Sequence, residues 1–225
     1  MKKPYTVCHM MTSVDGRIDC KMTEQLPGVE DYYATLAELE LPTTVSGRVT
    51  AELEMALPGS FTAKDTAPYG KEGFSKNVDA DGYEVIADTN GKLLWPDAAG
   101  MEKPYLILTS ERVTKEYLRY LDERHISWIA CGDDRIDLAR ASEILATEFN
   151  VKRMGVVGGA AINTAFLDAG LLDEVSILVG AGIDGRGCMA SVFDNLGKDH
   201  LLIRMKLTDV RRFDSDAVWL RYKTR

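Results

Sequence analysis

Residues 150–187 read NVKRMGVVGGAAINTAFLDAGLLDEVSILVGAGIDGRG, and the order of features in this stretch decides the fold. Its apolar run Met154–Val157 has the length of a buried strand in a parallel sheet. The pair Gly158–Gly159 interrupts that run. From Ala160 the apolar residues follow helical spacing up to Gly170, where a left-handed residue can end a helix. The stretch therefore predicts a strand, a glycine turn and a helix.

A glycine turn that leads from a strand into a helix can bind an anion. Backbone N–H groups and the positive end of the helix dipole converge there, which suits a pyrophosphate. The same pair of glycines also serves as a simple tight turn in many α/β proteins, and the stretch lacks a complete G-x-G-x-x-G. Taken alone, these residues leave both interpretations open.

Three motifs, in order along the chain, resemble those of one family. Residues 12–18 read TSVDGRI, residues 46–50 read SGRVT, and residues 156–175 read VVGGAAINTAFLDAGLLDEV. They are similar to the S-L-D-G-K-I, G-R-x-T and E-G-G…G-L-V-D-E-L segments of the riboflavin-biosynthesis pyrimidine reductases. The resemblance spans nearly the whole chain. It implies a dihydrofolate-reductase-like fold and a reductase that transfers a hydride from a nicotinamide cofactor to a pyrimidine ribosylamine phosphate, as a 5-amino-6-(5-phosphoribosylamino)uracil reductase does.

Cofactor binding is expected at three places: the glycine turn, the segment after the second predicted strand, and the end of the predicted strand Tyr105–Thr109. There, hydroxyls of Thr109 and Ser110 with the guanidinium of Arg112 can bind a ribose 2′-phosphate, which favours NADPH over NADH. An ordinary helix start with a solvated arginine is the alternative. The expected cofactor-binding residues are Gly47, Arg48, Thr50, Glu54, Thr109, Ser110, Arg112, Val157, Gly158, Gly159, Ala160, Ala161, Ile162 and Asn163.

The first motif is expected to border the nicotinamide and the substrate, because it does so in the family it resembles. The substrate-binding residues implied are Ser13, Asp15, Gly16 and Arg17. Asp15 is the expected catalytic residue, either as a hydrogen-bond partner of the substrate or as a group that helps to deliver the proton accompanying the hydride. A water molecule is the alternative proton source. Arg17 and Arg48 are candidates for binding an anionic group such as a ribose phosphate.

Some positions depart from the family pattern, mainly on the substrate side. Val157 stands where the family has a glutamate before the glycine pair, and residues 54–56 read EMA where it has D-N-P. Ala181 replaces a common proline. Two alternatives therefore stay open: an NADPH-dependent reductase of a pterin or other unsaturated metabolite, and a nucleotide-binding protein without catalytic activity.

The remaining pattern predicts one α/β domain over residues 1–225, with a mostly parallel sheet flanked by helices. Periodicity predicts strands at Tyr5–Met11, Thr43–Ser46, Tyr83–Ala87, Tyr105–Thr109, Ser127–Cys131 and Val175–Val179, and helices at Val29–Leu41, Thr114–Arg124 and Asp137–Phe149. The segments Leu201–Val210 and Ala217–Tyr222 predict an antiparallel C-terminal hairpin. Pro58–Gly82 has no usable periodicity and is either a substrate-covering loop or a mobile surface loop. Its aromatic residues Phe61, Tyr69 and Phe74 suggest contacts with the body of the protein or with a ligand.

Composition argues against several other classes of protein. The formal net charge of −8, without a basic patch, argues against a nucleic-acid partner. No apolar run approaches the roughly 20 residues of a membrane span, and no signal peptide is evident, so we expect a cytoplasmic protein. The 4 cysteines and 3 histidines lack metal-ligand spacing. A homodimer is expected from the resemblance and from the edge strand of the hairpin.

Overall fold

The computed structural model describes residues 2–224 and has an α/β fold with a mostly parallel central sheet and an antiparallel C-terminal hairpin, as predicted. Among these residues lie ten strands and six helices. They are β1 (Tyr5–Thr12), α1 (Cys20–Thr23), α2 (Val29–Glu38), β2 (Thr43–Gly47), α3 (Arg48–Glu54), β3 (Gly73–Ser75), β4 (Glu84–Ala87), β5 (Tyr105–Thr109), α4 (Lys115–Asp122), β6 (Ser127–Ala130), α5 (Leu138–Thr147), β7 (Arg153–Gly158), α6 (Ala160–Asp168), β8 (Glu174–Val179), β9 (Met205–Arg212) and β10 (Val218–Thr224).

The chain divides into two compact units. The first comprises Met1–Pro4 and Pro42–Met154, and the second comprises Tyr5–Leu41 and Gly155–Arg225. The expectation of a single domain stays a prediction.

The first unit is built on strands in the spatial order β3-β6-β5-β4-β2. Strands β2, β4, β5 and β6 are parallel, and β3 runs antiparallel to β6. All five residues of β5 are buried, which explains its uninterrupted apolar sequence. A parallel arrangement places the segments that follow β2, β4 and β5 at one edge, where open α/β sheets bind ligands.

The second unit has the strand order β7-β1-β8-β10-β9. Strand β1 pairs with β8 in parallel, with Cys8 opposite Val175. Strand β10 pairs antiparallel with both β8 and β9, so the predicted hairpin is confirmed. Trp219 on β10 is buried, and it packs in a core cluster with Leu178 of β8.

Local signals placed most helix boundaries correctly. Asp137 accepts a hydrogen bond from the Arg140 amide at the start of α5, and Thr114 accepts one from the Tyr117 amide at the start of α4. Helix α6 begins at Ala160, and Gly170 just beyond its end has φ 65°. The residues that begin and end these helices lie only a few positions from their partners. This explains why the helix ends can be predicted from the sequence.

Two segments differ from the prediction. The residues after β2 form the short helix α3 rather than a loop. Pro58–Gly82 packs on the core of its own unit: Phe61 lies 4.9 Å from the ring of Tyr117, and Tyr69 lies 5.5 Å from Trp128. Strand β3, within the same segment, pairs with β6. The contacts that Phe61 and Tyr69 were expected to make with the body of the protein are confirmed. Periodicity missed only the strand β3, because three residues are too few to show a pattern.

No helix within residues 2–224 is long and apolar enough to span a membrane. Within the same range no group of three or more histidine, cysteine or acidic side chains is arranged to hold a metal ion.

Candidate active site

The N-terminus of helix α6 in the second unit is not capped by any side chain. Gly159 is its N-cap residue, and no side chain bonds to the free amides of the first turn. The first helical hydrogen bond runs from the Asn163 amide to the Gly159 carbonyl, at 3.2 Å. The N–H groups of residues 159–162 therefore have no helical acceptor, and none has another acceptor within residues 2–224.

The same turn is shaped to admit an anion. Gly159 has φ 85° and ψ 133°, a conformation that favours glycine. The first turn contains no acidic residue, and its exposed position is Ala161. Before the turn, Val157 is half-buried and Gly158 buried at the end of β7, and Ile162 is buried on the inner side of the helix. Open N–H groups, a positive dipole end and small side chains fit a pyrophosphate.

Asp15 lies in the loop after β1 and binds the loop after β8. Its carboxylate accepts hydrogen bonds from the Ser13 hydroxyl at 2.7 Å and from the amides of Asp184 and Gly185, each at 3.0 Å. The Ser13 hydroxyl and then the two amides lower the pKa of Asp15 to about 2. A carboxylate with this pKa carries no proton near neutral pH. The role expected for Asp15 in proton delivery stays a prediction, and the hydrogen bonds to the Asp184 and Gly185 amides give it the geometry of a residue that orients a loop.

The guanidinium of Arg17 contacts a backbone carbonyl and a carboxylate. Its Nη1 donates to the carbonyl of Met189 at 2.7 Å, and its Nε lies 3.9 Å from the Asp15 carboxylate. That Nε is buried and has no hydrogen-bond partner among the described residues. Gly16, with φ 80°, makes the tight turn between them, and a Cβ there would meet nothing within 4 Å. Arg17 is thus a partly exposed cation that faces one carboxylate and lies beside an ordered loop.

The neighbouring arginine is neutralised. Arg186 binds both carboxylate oxygens of Asp184, and its Nη2 lies 3.4 Å from Asp19. Two acids therefore surround one guanidinium. Arg17 is the better candidate for binding a substrate anion in this loop cluster.

In the first unit, the predicted residues after β2 lie on α3. Gly47 is its N-cap with extended backbone, and Arg48 forms an ion pair with Glu52 one turn later. Thr50 is half-buried and Glu54 is exposed at the last turn. The structure therefore brings these four residues into one short helix and its cap.

The polar residues at the end of β5 already have partners within the protein. The Ser110 hydroxyl donates to the carbonyl of Thr89 at 3.0 Å, and the Thr109 hydroxyl lies 2.9 Å from the Ser110 carbonyl. Both side chains are fully buried. Arg112 is exposed and paired with Asp134. Neither hydroxyl has a proton free for a 2′-phosphate, because each already donates to a carbonyl.

Sequence inspection missed Asp88, which ends β4 at the same edge of the first unit. Its Oδ2 accepts hydrogen bonds from the amides of Lys92 and Leu93, at 2.7 and 2.9 Å, and from the Tyr117 hydroxyl at 3.0 Å. Its Oδ1 is buried without a partner within residues 2–224, and burial raises the pKa of this carboxyl. The A-D-T-N-G sequence at residues 87–91 is turn chemistry that could have drawn attention to it.

The strand order and the N-terminus of α6 identify the class of protein. It is an α/β protein with the fold of the RibD reductases. Acinetobacter baumannii RibD superposes with a TM-score of 0.68 at 19% identity, over 99% of this chain and 58% of that one. The chain belongs to the RibD C-terminal domain family, whose family model matches residues 4–219. The resemblance seen in the three sequence motifs is confirmed.

Individual relatives carry related descriptions. The 2,5-diamino-6-ribosylamino-4(3H)-pyrimidinone 5′-phosphate reductase of Aquifex aeolicus is 24% identical over 183 residues, 79% of this chain and 77% of that protein. A pyrimidine reductase-like protein from Corynebacterium diphtheriae has a TM-score of 0.74 at 16% identity, over 99% and 92% of the two chains. The yeast riboflavin biosynthesis reductase Rib7 has a TM-score of 0.63 at 19% identity, over 99% and 90%.

Proposed function

We propose that this chain is a nicotinamide-dependent reductase of riboflavin biosynthesis that uses NADPH to reduce a pyrimidine ribosylamine phosphate. The observation that carries the proposal is the N-terminus of α6, where the N–H groups of residues 159–162 have no acceptor and no acidic side chain intervenes. Membership of the RibD C-terminal domain family and the name of the Aquifex relative support the class of substrate.

The protein's part in such a reaction is to bind and orient. Bound NADPH supplies the hydride. The amides of residues 159–162 bind pyrophosphate oxygens, and the glycine at position 159 keeps their approach open. Val157, Gly158 and Asn163, and the first-unit residues Gly47, Arg48, Thr50, Glu54, Thr109, Ser110 and Arg112, stay predictions as cofactor-binding residues.

Arg17 and Asp15 have separate roles in substrate binding. The guanidinium of Arg17, whose side chain is partly exposed, binds the substrate phosphate. Asp15 holds the amides of Asp184 and Gly185 and so fixes the loop beside it. The low pKa of Asp15 favours a solvent water as the source of the proton that accompanies the hydride.

The test separates binding from turnover. NADPH and NADH are titrated by fluorescence and thermal shift, and loss of NADPH absorbance is then followed with the pyrimidine ribosylamine phosphate, a dihydropterin and no substrate. We expect tighter binding of NADPH than of NADH and turnover of the pyrimidine alone. Stabilisation by neither cofactor rejects the proposal. Binding without turnover identifies a non-catalytic nucleotide-binding protein, and turnover of the pterin identifies the alternative reductase.

We also propose that the protein is a cytoplasmic homodimer. Strand β9 is the edge of the second unit's strand order and exposes Leu207 and Val210. An exposed apolar edge strand is a template for pairing with a second copy. Light scattering at micromolar concentration should give twice the mass of one chain, and a monomer would contradict the proposal.

A further inference from the structure

Residues 189–194, which we call the strap, follow the loop after β8 and run beside the loop that contains Arg17. The Nη1 of Arg17 donates to the Met189 carbonyl at 2.7 Å, and the Ile18 amide donates to the Ala190 carbonyl at 3.2 Å. Arg17 and Ser191 form an isolated antiparallel bridge. This end of the strap therefore sets the position of the Arg17 guanidinium.

The other end of the strap is hydrogen-bonded to helix α6. The amide Nδ2 of Asn163 donates to the Val192 carbonyl at 3.0 Å. One residue further along the helix, the Thr164 hydroxyl accepts a hydrogen bond from the Asp194 amide at 2.9 Å. The Asp194 carboxylate in turn accepts from the amide and the hydroxyl of Ser191, at 2.9 and 2.7 Å. The strap is thus a hydrogen-bonded turn held at both ends.

Asn163 is fully buried, and its orientation is fixed by this contact. Exchanging the amide nitrogen and oxygen would place Oδ1 against the Val192 carbonyl, where two acceptors repel. Its backbone N–H already donates to the Gly159 carbonyl. One proton of Nδ2 and the backbone N–H are therefore occupied within the protein, whereas Oδ1 is buried without a partner among residues 2–224.

We propose that Asn163 is a positioning residue for the substrate, and that it acts through the strap to hold Arg17. The inference rests on the proposed function, in which Arg17 binds the substrate phosphate. When the strap is free to move, Arg17 loses its fixed carbonyl partner and must be ordered again each time the substrate binds. Substrate affinity then falls while the pyrophosphate-binding amides of α6 keep their geometry.

The experiment compares Asn163→Ala and Thr164→Val with the wild-type chain. Substrate affinity is measured by calorimetry with the pyrimidine ribosylamine phosphate, and NADPH affinity by fluorescence in a separate titration. Both variants should weaken substrate binding, by roughly three- to tenfold, which corresponds to ordering one arginine side chain. In Thr164→Val, which alters no expected cofactor-binding residue, NADPH binding should change by less than about twofold. Thr164→Val is nearly isosteric and provides the test if Asn163→Ala does not fold.

A double variant gives an independent criterion. Arg17→Gln should weaken substrate binding on its own, and adding Asn163→Ala to it should cause no further loss, because the strap acts through Arg17. Additive losses overturn the inference. So does unchanged substrate affinity in folded Thr164→Val, or an equal loss of NADPH affinity, which would make Asn163 a cofactor residue. A wild-type chain that binds no pyrimidine phosphate rejects the proposed function itself.

Discussion

The strand ends of the two units use similar residue types differently. In the first unit, the hydroxyls of Thr109 and Ser110 donate to backbone carbonyls, and Arg48 and Arg112 are paired with acids. In the second unit, the amides of residues 159–162 and the Nε of Arg17 have no acceptor within residues 2–224. The four side chains named for the first unit are occupied, although within residues 2–224 its Ser46 Oγ is buried without a partner and its helix α3 also starts without a side-chain cap.

This difference shows that residue type alone does not identify a binding site. A hydroxyl or guanidinium at the end of a parallel strand qualifies as a phosphate ligand only while a donor is free. Backbone amides at a helix N-terminus remain free unless a side chain caps them. Gly159–Ile162 and Arg17 are therefore better candidates for phosphate binding than Thr109 and Ser110.

The largest expected effect comes from Ala161→Asp, on the exposed first turn of α6. A carboxylate there interacts favourably with the helix dipole, by about 0.3–1 kcal/mol, so stability should be kept or raised. It should also repel a pyrophosphate and weaken NADPH binding by about tenfold or more, at least roughly 1.4 kcal/mol. Thermal unfolding and NADPH titration measure the two opposite changes.

The matched control is Ala161→Asn, which has the same size without the charge and should bind NADPH nearly as well as the parent. Gly159 is a poorer place for the carboxylate, because its φ of 85° strains any other residue. If Ala161→Asp is folded and binds NADPH with parental affinity, the open amides do not bind the cofactor and the contrast between the units is lost.

An intermediate effect is expected for Asp15→Asn. A general acid typically contributes about 10²–10⁴-fold to rate, whereas loss of a loop anchor should lower kcat by less than about tenfold. The pKa of Asp15 in the folded protein, about 2, is lower than that of a free aspartate, so the loop stabilisation it provides is lost only as pH falls below about 4. The kcat profile between pH 5 and 9 should keep its shape in the variant. Disappearance of an acidic limb would support the proton-transfer role.

The smallest effect should come from Thr109→Val in the first unit. The lost hydroxyl donates to a carbonyl, so stability should fall by about 1 kcal/mol. NADPH and NADH affinities should each change by less than about twofold. Thr109→Ser, which keeps the hydroxyl, controls for shape. A selective loss of NADPH affinity in the valine variant would show that the 2′-phosphate displaces the internal bond.

Sequence inspection predicted elements well where the signal was local. The apolar run before Gly158 lies in strand β7, and Asp137 is the N-cap of helix α5, as predicted. Failures came where a partner lies far along the chain. The half-buried Phe61 and Tyr69 give no periodic signal, since they pack singly on α4 and β6, and the Pro58–Gly82 segment therefore looked irregular.

The sequence by itself determined the strand, glycine turn and helix of residues 153–168, the antiparallel hairpin and the family, because each depends on residue order over short windows. Only the tertiary structure decided which polar groups stay available. Asp15 meets the Asp184 amide 169 positions away, Asn163 meets Val192 29 positions away, and Thr109 meets Thr89 20 positions away. A hydrogen bond forms between groups that the fold brings within about 3 Å, and no local pattern records that distance.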